Sequence, residues 1–213
     1  MEIFINGEAS DKAVEHLQNK MKNIKISRAD DGKLSVSGKA KSFVEKEFCR
    51  AIEDNKIKVT IEANEYNQVN SDLGGAFMGN YLSEDGSIIT NQFVNVQSLS
   101  DYDIKVGDDK PGGYLLHEVM EAFYGGEIAI QKGLKEVKPA YADKYTGKLQ
   151  PDNPTYRQAH TMANKISIGD YTPEVKTGVL PTYMGKINRF GRRFPVFTVQ
   201  ERDYETGKGF RRR

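Results

Sequence analysis

Residues 114–126, YLLHEVMEAFYGG, constrain this chain more than any other stretch. Leu115, Leu116, Val119, Met120, Ala122 and Phe123 make an apolar run with helical spacing. His117, Glu118 and Glu121 are set into it. His117 and Glu121 are four residues apart, so they stand one turn apart on one face, while Glu118 points about 100° away. An imidazole and a carboxylate inside such a run are costly unless they pair or ligate something. The rest of the chain reads as a scaffold that holds and covers this helix.

The pattern H-E-x-x-E resembles the H-E-x-x-H helix of zincin metallopeptidases. In that family two side chains at i and i+4 grip zinc, and the Glu after the first His is general base toward the metal-bound water. The resemblance makes His117 a metal ligand and Glu118 the catalytic base, with Glu121 where the second His usually stands. A carboxylate can bind zinc, but an anionic ligand makes the bound water less acidic, so metal binding is the firmer expectation and catalysis the weaker one. A zinc site needs a third protein ligand. His160 lies in PTYRQAHTMANKI, a second helix with Pro154 in its first turn and Thr155 or Asn153 as cap. His117 and Glu121 from one helix with His160 from the next give the zincin layout, with His and Glu positions exchanged relative to its glutamate-ligand branch. The likeness covers residues 88–165. Tyr141, Tyr145 and Tyr156 are candidates to stabilise an oxyanion. The alternative to a metal site is an i,i+4 contact between His117 and Glu121, with His160 facing solvent.

The chain is also similar to small virion proteins of tailed bacteriophages, in particular the crAss-like phages of gut Bacteroidetes, which include zincin-like members. That likeness rests on the HEVMEAFYGG helix, YRQAH downstream and an extended C-terminal arm. It implies a catalytically inactive structural protein of a tail or portal-associated assembly, with the arm making homo- or hetero-oligomeric contacts. The enzyme alternative implies a peptide or protein substrate.

With 38% hydrophobic and 29% charged residues, the chain has the composition of a soluble globular protein. It contains no apolar run near 18 residues, so no membrane helix is expected. The opening MEIFINGEASDK lacks a basic region followed by an apolar stretch, which places the protein in the cytoplasm or a virion rather than among secreted proteins. The single cysteine, Cys49, excludes an internal disulfide and reads as a small core residue. Residues 186–213 carry nine basic and three acidic side chains, a net +6 that leaves −5 elsewhere in a chain of total +1. Such a tail is either solvated or a contact for nucleic acid or an acidic partner.

In order, the chain predicts an α+β fold: a small βαββαβ-type mixed sheet with packed helices, the zincin-like helix at 114–126, and the arm. Residues 1–64 form the βαββαβ-like half. Strand 2–5 ends in the Asn6-Gly7 turn, and a helix follows from Ser10 as N-cap to about Asn23, with His16 solvated. A hairpin turns at 29–32, Ser42 starts a helix over 43–54, and 56–64 alternate as a strand. This is either a ferredoxin-like split βαβ unit or the upper sheet of a larger domain. An RNA-binding role is disfavoured by the absence of aromatic-rich strands.

Residues 65–168 form the zincin-like half. Residues 65–87 read as a boundary or wrapping loop, and 88–97 as a strand that can lie along a cleft and pair with a peptide. Residues 98–113 read as an acidic, solvated turn without calcium-loop spacing. Gly125-Gly126 reads as a helix stop or kink, Glu127 as a further possible ligand, and 135–153 as a lid. Residues 169–213 are the extended basic arm, with FPVFTVQ its one strand.

Overall fold

The computed structural model describes residues 2–65, 74–105, 107–139, 153–167, 177–187 and 193–203. The first elements are β1 (Glu2–Asn6), α1 (Ser10–Asn19), β2 (Ile24–Arg28), β3 (Leu34–Gly38), α2 (Phe43–Glu53) and β4 (Ile57–Asn64). They are followed by β5 (Gly75–Leu82), β6 (Ile88–Asn95), α3 (Val96–Lys105), α4 (Gly113–Lys132), β7 (Glu136–Val137) and α5 (Pro154–Ser167). The last two are β8 (Thr177–Ile187) and β9 (Arg193–Asp203). The fold is α+β, with the expected βαββαβ order at its start.

The strand pairing decides between the two arrangements that order permits. β1, β4 and β6 run parallel in the order β1-β4-β6, and β5 and β7 continue the sheet antiparallel. β1 and β4 are direct neighbours, in register from Glu2 with Lys58 to Asn6 with Glu62. The β2–β3 hairpin stays outside, tied to β1 through a Phe4–Lys33 bridge and a bond from Arg28 Nε to the Ile5 carbonyl. The sequence carries the reason. β4 buries Ile57, Val59, Ile61 and Ala63, whereas β3 buries only Leu34 and exposes Ser35, Ser37 and Gly38. A strand with one apolar anchor cannot occupy the covered centre of a sheet. The strands of residues 1–64 therefore join a sheet completed by later ones.

α4 lies across β4, β5 and β6, and α5 packs along α4. One apolar cluster runs through Ile5, Leu17, Phe48, Ile61, Leu115 and Phe123. Gly125-Gly126 does not stop α4, which continues to Lys132 and ends at Gly133, φ 63°, where the left-handed cap N–H bonds back to Ala129 and Ile130. The glycines serve close packing instead. A Cβ on Gly125 would lie 2.6 Å from the Phe77 ring, and one on Gly126 would lie 2.7 Å from Ile57 Cγ2.

Several local expectations change. α1 ends at Asn19, and its N-cap is Ala9, with Ser10 buried as the first helical residue. Residues 65–87 contain β5, and 98–113 contain most of α3. The acidic segment is no solvated turn: buried Asp103 accepts bonds from the backbone N–H of Gly112 (2.6 Å) and Tyr114 (3.2 Å), and so caps α4. Asp108 pairs with Lys20. In the arm, the expected strand lies in β9, which pairs antiparallel with β8 from Thr177–Asp203 to Ile187–Arg193. Pro181 and Pro195 are accommodated because each strand of a two-stranded ribbon has an outer edge.

Candidate metal centre

The site is built where α5 crosses α4. Ala159 and Ala163 are fully buried, and their small side chains let α5 approach α4 closely. Next to Ala159, His160 turns its ring toward His117 and Glu121 on α4. His160 Nδ1 is 2.6 Å from Glu121 Oε2 and 3.0 Å from His117 Nε2, and His117 Nε2 is 3.5 Å from the same carboxylate oxygen. The two imidazoles meet edge to face, centroids 4.5 Å apart. His117 and Glu121 are 5% and 2% exposed.

This geometry suits a cation. Three lone-pair atoms point at one place, and without an ion they have too few protons to satisfy all three contacts. A tetrahedral zinc-like ion keeps N and O ligands roughly 3.3–3.5 Å apart, so only a small spreading of this triad would seat one. The donor set of two imidazoles and a carboxylate also matches a borderline divalent metal. His117, Glu121 and His160 form a group able to hold a metal ion.

Electrostatics divide Glu118 from Glu121. Burial alone would raise the pKa of Glu121, but hydrogen bonds and charge from His117 and His160 outweigh it and hold the group at about 2. Burial pulls His117 below the ordinary imidazole value, against the opposing pull of Glu121. Glu118 goes the other way. Burial first, and then the charge of Glu121, raise it well above the usual carboxylate range, while the Gln92 amide opposes the rise. The Glu118 carboxylate lies flat against β5: a Cβ built on Gly75 would stand 2.1 Å from its Cδ and Oε2.

Of the four residues of the expected site, His117, Glu121 and His160 are thus brought together, and Glu118 meets Glu121 through the amide of Gln92. Of the tyrosines, Tyr141 and Tyr145 lie outside the described residues. Tyr156 stands one turn before His160, its ring 5.7 Å from the His160 ring and 6.0 Å from Phe77. His16 is not solvated. It is 6% exposed, its backbone carbonyl lies under Gly112, and burial lowers its pKa. Glu127 is no ligand here, because it pairs with Arg50 at 2.5 Å. β6 cannot receive a peptide along its edge, since β4 and β5 flank it.

Gln92 belongs to the site and was not expected there. Its signal is the period-two face of β6, which buries Ile88, Thr90, Gln92 and Val94 together. No protein-family model, no curated protein and no solved structure matches this chain.

Proposed function

We propose that this chain is a zincin-like zinc metallopeptidase. One observation carries the proposal: two histidines and a carboxylate from two helices converge on one point, beside a second carboxylate of opposite protonation tendency. His117, Glu121 and His160 would hold the zinc. When bound, the ion acts as a Lewis acid toward a water and the scissile carbonyl. Glu118 takes the proton from the attacking water and passes it to the leaving amine as the C–N bond breaks. Gly75 leaves room for the Glu118 carboxylate. Tyr156, on the same helix as His160, is the described tyrosine assigned to the developing oxyanion.

Two variants test this. Elemental analysis of the purified protein should find about one zinc per chain, lost in His117→Ala. Glu118→Gln should retain zinc and lose turnover of a peptide library by roughly 100-fold or more. Full activity in Glu118→Gln would discard the proposed base, and absence of metal from the wild type would discard the centre.

A second reading, a structural protein of a phage virion, is favoured by the β8–β9 ribbon. Among the described residues these two eleven-residue strands pair only with each other, and unpaired strand edges recruit neighbouring chains. Light scattering discriminates: a stable oligomer inert toward peptides supports assembly, while a proteolytically active monomer removes that role.

A further inference from the structure

Gln92 is 1% exposed and sits in the middle of β6, opposite Phe77 of β5. Its Nε2 donates to Glu118 Oε2 and, at 3.4 Å, to Glu121 Oε1. The other oxygen of Glu121, Oε2, faces the two histidines. Glu118 and Glu121 therefore each have one oxygen on the same amide nitrogen, whose two hydrogens suit two acceptors. The amide oxygen, Oε1, is buried without a hydrogen-bond partner among the described residues. A leucine or methionine there would fill the space but take the donor from both buried carboxylates, so the glutamine is there for Glu118 and Glu121 and not for packing alone. Gly75 completes the arrangement from β5, because any side chain there would displace the Glu118 carboxylate from the amide.

We infer that Gln92 is a positioning residue, which sets the spacing between the ligand carboxylate Glu121 and the base Glu118. It rests on the zinc reading above and extends it to the sheet beneath the metal helix. The amide fixes the rotamer of Glu121 so that Oε2 faces the two histidines, and it keeps Glu118 from turning into the same place. Partners that orient a ligand in this way typically govern metal affinity by 10- to 100-fold.

The test is zinc affinity, measured by competition with a chromogenic chelator, on the full chain and on Gln92→Met and Gln92→Asn. Methionine keeps the volume and removes the donor. Asparagine keeps the amide but is too short to span both carboxylates. Both variants should bind zinc about 10- to 100-fold more weakly, with kcat on a peptide library falling and KM held. Unfolding of the metal-free chains measures the structural part of the role separately: Gln92→Met should lose stability because two buried carboxylate oxygens lose their donor, and a purely structural role would lower that midpoint while leaving the zinc affinity of the folded chain unchanged. Zinc affinity within about twofold of wild type in both variants would overturn the inference and leave the zinc centre standing. A wild-type chain that takes up no zinc would remove the centre and this inference together.

Discussion

Glu45 shows how a single side chain can be buried and ionised at once. It is 1% exposed, yet it accepts bonds from the backbone N–H of Lys41 (2.9 Å), Ser42 (3.0 Å) and Asn23 (2.6 Å), and from the Asn23 amide. Burial would raise its pKa from 4.5, but these donors hold it at about 2. The folded value lies below the unfolded one, so the carboxylate stabilises the fold above pH 4.5, and this is lost as pH falls from 4.5 toward 2. Glu45→Ala should lose about 2–3 kcal/mol at pH 7 and flatten that acid limb, measured by urea unfolding at pH 7 and pH 3. Equal losses at both pH values would contradict the assignment. Ser42 was legible as the start of α2, since a Ser before an amphipathic run is a common cap. His117, Glu118, Glu121 and His160 were legible because helical spacing and residue chemistry agree. Gln92 carries no motif, and His16 is covered by a segment nearly a hundred residues away, so neither environment could be read locally.

At the scale of elements, the glycine pair of α4 is the instructive case. Local propensity makes Gly-Gly a helix breaker, but here the sheet is close enough to reward the absent side chains. Alanine at 125 would gain about 1 kcal/mol in helix propensity. Against this, its Cβ would fall 2.6 Å from the fully buried Phe77 ring, which leans on Tyr156 of α5. Overpacking of that kind costs about 1–3 kcal/mol, so the steric effect wins. Gly125→Ala should destabilise the protein by up to about 2 kcal/mol in chemical unfolding; an increase in stability would show that α4 stands farther from β5 than described. β5 and α3 went unread for a related reason. β5 is glycine-containing and weakly alternating, and α3 carries an aspartate, Asp103, that serves the cap of α4 rather than solvent. Strength of periodicity made β1, β4, α2 and the start of α4 visible; tertiary context made the others.

For the whole molecule, the metal reading divides the architecture into a part that stands on its own packing and a part that does not. α4 has Leu115, Val119, Phe123 and Ile128 buried, and Gly125 and Gly126 bring it against Phe77 and Ile57 of the sheet. α5 has Ala159, Ala163 and Ile166 buried in the apolar cluster, and it brings the third ligand. An ion held between them stabilises only the state in which α5 is docked, by about 2.7 kcal/mol at a hundredfold excess over Kd. Removing zinc with a chelator should therefore lower the unfolding midpoint and speed amide exchange most in residues 154–167, with β4 and β6 least affected. His160→Ala should show fast exchange in α5 whether or not zinc is added, because the remaining ligands both lie on α4. If exchange in α5 is indifferent to zinc in the wild type, the ion does not join the two helices, and the docking of α5 rests on its packing, through Ala159, Ala163 and Ile166 and through the Tyr156 ring on Phe77.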